Sequence, residues 1–152
     1  MKKNIRLAVV GTGYFSQFHY DAWKRLNVDL VGICSLNKDE ASKYSKQFQN
    51  CEVFLDFETM IKTIKPELVD IIVPPLNHLK FIKVAARNKV HIICQKPFTT
   101  SINEAKEAIS FAKRKRVKIA VHENFRFQPW YMKINEILKT SLLGDLYQVS
   151  FR

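Results

Sequence analysis

The segment Leu7-Ala8-Val9-Val10-Gly11-Thr12-Gly13-Tyr14-Phe15-Ser16 constrains this chain more than any other. An apolar run ends at two glycines one residue apart, and a helix-compatible stretch follows at once. A strand that turns sharply into a helix aims free backbone N–H groups and the positive end of the helix dipole at one spot. Such a spot suits a pyrophosphate. Gly11 permits the tight turn, and Gly13, lacking a Cβ, lets phosphates approach the backbone. Ser16 stands where the usual pattern has a third glycine and is small enough for close helix–strand packing. Thr12, Tyr14 and Phe15 share the turn and are candidate contacts to the same ligand.

The rest of the chain repeats this alternation. Strands are predicted over Ile5–Val10, Val28–Cys34, Val53–Phe54, Leu68–Val73, Val90–Cys94 and Val117–Val121, with helical periodicity between them. The first helix, about Phe15–Leu26, has Phe15, Phe18, Ala22 and Leu26 at helical spacing, which predicts that this face packs on a sheet. The run Leu68–Val73 is apolar throughout except for Asp70, as in a parallel strand covered on both faces. Ser101-Ile102-Asn103-Glu104 is a capping box opening a helix to about Arg114, with Ile102, Ala105, Ile109 and Ala112 expected inward. The fold class is therefore α/β, a doubly wound, mostly parallel Rossmann sheet with helices on both faces. Ligands of such sheets bind beyond the carboxyl ends of the strands.

From about Asn124 the pattern changes. A helix is expected from Pro129 to Thr140, and Leu146–Arg152 alternates as a strand with one apolar face. Such a strand needs a partner. The expected organisation is a Rossmann domain over residues 1–123, then a linking helix and the first strand of an incomplete second domain over 124–152. The chain then reads as the first part of a longer protein, or as one completed by another chain.

Composition narrows the partners. With 152 residues, 47% hydrophobic and 26% charged, the chain can bury a core and is not disordered. No apolar run is long enough to span a membrane, and the short N-terminal run ends in a glycine turn rather than a cleavage site, so a cytoplasmic protein is expected. Cys34, Cys51 and Cys94 are odd in number and lack metal-ligand spacing, so no disulfide framework and no metal site is expected. The net charge of +11 suggests anionic partners. The densest run, Lys113–Lys118, reads as the basic end of a helix.

Four further strand exits carry chemistry. In dinucleotide sites an acid about 20 residues past the glycines holds the ribose 2′-hydroxyl. Here the second strand ends Cys34-Ser35-Leu36-Asn37-Lys38, without a carboxylate at its tip. Ser35 and Asn37 can donate hydrogen bonds to a 2′-phosphate and Lys38 can supply charge, which favours NADP over NAD. After the fourth strand come Pro74, Pro75, Asn77 and His78. The prolines fix a rigid exit, and Asn77 is a candidate helix N-cap. After the fifth come Gln95, Lys96 and Pro97. A proline-pinned lysine at a strand end can contact substrate and stabilise a developing alkoxide. After the sixth comes His122-Glu123-Asn124-Phe125-Arg126-Phe127-Gln128-Pro129, where Arg126 can tie segments together.

The glycine turn, the Pro-Pro-x-Asn-His segment, the Lys-Pro pair and the Asn-Phe-Arg-Phe-x-Pro segment, in this order, resemble the Gfo/Idh/MocA family of NAD(P)-dependent oxidoreductases. The resemblance spans essentially the whole chain. It implies an enzyme that oxidises or reduces sugars, inositols and related polyols. It further implies that Lys96 is a catalytic-site lysine near substrate and nicotinamide, and that Pro74, His78, Gln95 and Asn124 line the cofactor cleft. Family members pair the Rossmann domain with a C-terminal open antiparallel sheet that supplies a further acid, a proton-transferring histidine and most of the substrate pocket. They often oligomerise through it. Gln95 departs from the pattern, which has Glu before the Lys-Pro pair, and His19, His91 and His122 match no motif position. On this reading the chain binds a cofactor but turns over little substrate by itself. The competing readings are a non-catalytic nucleotide-binding remnant or subunit, and a basic nucleic-acid binder, the latter disfavoured for want of a recognition motif.

Overall fold

The computed structural model describes residues 4–150. The chain divides into two compact units, Met1–His122 and Glu123–Arg152. The first unit alternates strictly: β1 (Arg6–Val10), α1 (Ser16–Arg25), β2 (Asp29–Cys34), α2 (Lys38–Ser45), β3 (Glu52–Phe54), α3 (Phe57–Ile64), β4 (Leu68–Ile71), α4 (His78–Arg87), β5 (His91–Gln95), α5 (Ile102–Arg114) and β6 (Ile119–His122). The strands form one sheet in the order β3-β2-β1-β4-β5-β6, and each neighbouring pair is parallel. The order reverses between β1 and β4, which opens a crevice at their carboxyl ends. This is the Rossmann architecture.

Two apolar cores cover the two faces of the sheet. On one, Leu7, Val9, Leu30 and Ile33 pack with Tyr20 of α1 and Ala41 of α2. On the other, Ala8, Val10, Val69 and Ile71 pack with Met60 and Ile64 of α3, Ile82 of α4 and Ala108 of α5. Successive residues of β1 and β4 point to opposite faces, and both faces are filled.

Helix ends follow their local chemistry. Asn37 caps α2 by accepting the Glu40 N–H (3.1 Å), and Asp56 caps α3 by accepting that of Thr59 (2.7 Å). Ser101 caps α5 by accepting the Glu104 N–H, while the Glu104 carboxylate reaches back to the Thr100 N–H. Asn77 does not cap α4 with its side chain; it closes a 3-10 turn over Pro75–Asn77 instead.

Three sequence expectations are corrected. In α1 the buried residues are Ser16, His19 and Tyr20, whereas Phe15 and Phe18 are 55% and 54% exposed and Leu26 is also exposed. The inward face is chosen by polar partners, described below, rather than by hydropathy. In α5 the buried residues are Ala108 and Ala112, and Ile102 and Ile109 face outward. Those alanines share a core with Ala85 and Ala86 of α4, so small side chains allow the two helices to approach closely. In the second unit, α6 (Pro129–Leu138) forms. Residues 146–150 make no strand, because no described segment offers them ladder bonds. Phe151 and Arg152, the last residues of that expected strand, lie outside the described residues.

Candidate cofactor cleft

The turn after β1 is held from behind. The Gly11 N–H donates to the Cys34 carbonyl (2.9 Å), and the Tyr20 hydroxyl donates to the Gly11 carbonyl (3.0 Å). Gly11 has φ +113°, and a Cβ there would lie 2.1 Å from the Ile72 carbonyl oxygen. Only glycine fits. Gly13 is different: a Cβ there would meet nothing within 4 Å. Its missing side chain serves no packing need and leaves an open cradle at the start of α1. No side chain caps that helix. Among the described residues, the N–H groups of Thr12, Gly13, Tyr14 and Phe15 make no hydrogen bond. Four free donors at the positive end of a helix, beside a cradle that a Cβ would fill, fit the pyrophosphate of a dinucleotide.

A cleft of about 770 Å³ opens beside this turn, within the size range of small-molecule sites. Gly11, Thr12, Gly13, Ser35, Leu36, Asn37, Pro74 and Asn77 line it, together with Glu40, Asp56, Glu58 and Lys80, which sequence reasoning left unassigned. The Thr12 and Ser35 hydroxyl oxygens are 2.6 Å apart, and Ser35 Oγ accepts the Asn37 N–H (3.1 Å). The exits of β1 and β2 are thereby joined. Cys34 also lines the cleft. Burial pushes its thiol up to about 11 and that of Cys94 to about 12, so neither is a ready nucleophile.

The remaining candidates fall into separate groups. His78 is fully buried, and its ring nitrogens lie 2.9 Å from the Phe98 carbonyl oxygen and 2.7 Å from that of Val73. It ties the exits of β4 and β5 together from beneath and is absent from the cleft lining. Pro75 begins the 3-10 turn, and Lys38 is the exposed first residue of α2. Tyr14, Phe15 and Phe18 form an exposed aromatic cluster. The ammonium of half-buried Lys96 lies 5.6 Å from the Phe15 ring centroid; Pro97 follows it. Asn124 and Arg126 belong to the second unit, where the Arg126 guanidinium lies over the Phe127 ring.

A buried polar group in the sheet carries no assignment from sequence reasoning. Asp70 on β4 is fully buried, and its Oδ2 accepts from His19 Nδ1 and from Trp23 Nε1, each at 2.8 Å. The signal was present: one aspartate in an apolar strand, and a histidine and tryptophan four residues apart on a preceding helix.

A family model for oxidoreductases with an NAD-binding Rossmann fold matches residues 5–123. The chain belongs to the Gfo/Idh/MocA oxidoreductase family. Within it, the chain is 29% identical to D-apiose dehydrogenase of Paraburkholderia graminis over 99% of its own length and 41% of that relative's. Among solved structures, an oxidoreductase of Agrobacterium radiobacter in complex with NAD+, L-tartaric acid and magnesium matches at TM-score 0.88 and 26% identity, covering 94% of this chain and 42% of the other. The scyllo-inositol dehydrogenase of Lactobacillus casei with bound NAD(H) and scyllo-inositol shares the fold at TM-score 0.85 and 23% identity, covering 94% and 43%. The chain thus spans about two fifths of the relatives it matches. Among the described residues no helix is long and apolar enough to cross a membrane.

Proposed function

We propose that this chain is the cofactor-binding portion of an oxidoreductase acting on a sugar, inositol or similar small polyol, with NADP preferred over NAD. Residues 1–123 are the NAD(P)-binding domain on this reading, and 124–152 lead into a second domain. The observation that carries it is the open cradle at Gly13 with four free N–H groups around it. Gly11, Thr12, Gly13, Tyr14 and Phe15 would hold the pyrophosphate, and Pro74, Pro75, Asn77 and Pro97 would frame the cleft. When bound, the nicotinamide supplies a centre that accepts or donates hydride. Lys96 is the residue of this chain that faces chemistry: its ammonium orients the substrate oxygen and stabilises the charge that develops there. His78 and Gln95 support the two strand exits, and Asn124 and Arg126 are further candidate cofactor contacts. Relatives of the full length carry more than twice this chain, and the 152 residues alone bind cofactor but turn over little.

The cofactor preference rests on the tip of β2. Residues 34–38 contain no carboxylate, and Lys38 makes no ion pair among the described residues. The Asn37 carbonyl is used as a cap, which leaves its NH2 free to donate. Glu40 also lines the cleft, so a 2′-phosphate is expected on the Lys38 side of it. Titration with NADPH and NADH, read by nicotinamide fluorescence, should show NADPH tighter by about tenfold, the size of one charge-assisted hydrogen bond. Lys38→Glu should erase the difference. Tighter binding of NADH by the unaltered chain contradicts the preference, and no binding of either contradicts the function.

A further inference from the structure

The Asp70 carboxylate is a cost to folding. It lies in a strand whose neighbours are apolar, and its Oδ1 has no partner among the described residues. An apolar side chain would fill the position more cheaply, so the group serves something other than packing. The far side of His19 shows what. Its Nε2 lies 2.8 Å from Gln95 Nε2, and Gln95 Oε1 lies 2.7 Å from the Lys96 backbone nitrogen.

Only one arrangement of hydrogens satisfies these contacts. The Lys96 N–H requires an acceptor, so the oxygen of the Gln95 amide faces it and the NH2 faces His19. That NH2 can only donate, so His19 Nε2 must carry a lone pair. Asp70 accepts, so His19 Nδ1 carries the proton. The donors run in one sequence from each end: Lys96 N–H to Gln95 Oε1, Gln95 Nε2–H to His19 Nε2, His19 Nδ1–H to Asp70 Oδ2. The other groups around the ring are Trp23 of α1, which shares Asp70, and His122 of β6, whose ring centroid is 4.4 Å away.

We propose that Gln95 is a positioning residue that locks His19 in its Nδ1–H tautomer and ties the Lys96 backbone to the buried Asp70, so that the Lys96 ammonium is placed from inside the domain. The functional part of this statement rests on the reading of Lys96 given above. A carboxylate at position 95 would still accept the Lys96 N–H but has no hydrogen to offer His19, which would then take up a second proton to donate at both nitrogens. A methionine would do neither.

The test uses the 15N-labelled 152-residue chain at neutral pH. Two-bond proton–nitrogen correlations assign the His19 tautomer, and hydrogen exchange follows the Lys96 amide. The unaltered chain should show a protonated Nδ1 and a bare Nε2. Gln95→Glu should convert His19 to the doubly protonated signature and leave the Lys96 amide protected. Gln95→Met should speed Lys96 exchange about fivefold, as for loss of one ordinary hydrogen bond, with Ile93 unchanged. An Nε2–H tautomer in the unaltered chain, an unchanged His19 signature in Gln95→Glu, or unchanged Lys96 exchange in Gln95→Met overturns the proposal. NADPH titration of the same unaltered sample separates the two readings: the expected tautomer without binding leaves the lock standing and removes the function. Binding with the wrong tautomer does the reverse.

Discussion

Phe15 and Phe18 at the start of α1 are more than half exposed, whereas Ser16 and His19, one residue further along in each case, are buried. The two faces differ in what their polar atoms do. On the inward face Ser16 Oγ donates to the Gly13 carbonyl, Tyr20 to the Gly11 carbonyl, and His19 and Trp23 to Asp70. The outward face packs its aromatic rings against one another and against Lys96. A hydropathy stripe would choose the phenylalanines. Specific partners outweigh it, because a buried donor or acceptor left unpaired costs more than an exposed ring.

Substitutions on the two faces should therefore separate widely. His19→Leu leaves the Asp70 carboxylate buried with Trp23 as its sole donor, and should cost about 3 kcal/mol, read as a lower urea midpoint at constant slope. Trp23→Phe keeps most of the ring and removes one donor to the same oxygen, and should cost about 1.5 kcal/mol. A smaller effect is expected at His122. Partial desolvation of the ring lowers its pKa from the ordinary 6.5. Between the folded and unfolded values the unfolded chain binds more protons, so this group's contribution is full above the ordinary value and fades as pH falls toward the folded one. Midpoints measured from about pH 7.5 to about pH 5 should drop less steeply in His122→Asn. Phe18→Gln on the outward face should change stability by less than about 0.5 kcal/mol. If Phe18→Gln costs as much as His19→Leu, the assignment of the two faces is wrong.

The same contrast explains what was legible in the sequence. The alternation of strands and helices, the parallel sheet and the glycine turn follow from local pattern. So do the buried face of α3, where Phe57, Met60, Ile61 and Ile64 are all apolar, and the Ser101 cap. The inward faces of α1 and α5 do not. In α1 the buried face is polar and its partner, Asp70, lies on a strand 51 residues from His19; in α5 it is made of alanines, which carry little hydropathy signal. The candidate site divides in the same way. Gly11, Thr12, Gly13 and the tip of β2 stand together at one cleft because each ends a strand at the same edge. His78 sits beneath that edge, since both its ring nitrogens meet backbone carbonyls.

Gly11 and Gly13 offer the sharpest test, since the fold requires the first and places no demand on the second. The decisive measurement is cofactor titration of the unaltered chain and of Gly13→Ala, with thermal unfolding of both. The account predicts that the unaltered chain binds NADPH and that Gly13→Ala unfolds at the same temperature or slightly higher. It also predicts that Gly13→Ala binds at least about tenfold more weakly, because its methyl group fills the pyrophosphate cradle. Equal binding by the two chains, or no binding by the unaltered one, would contradict it.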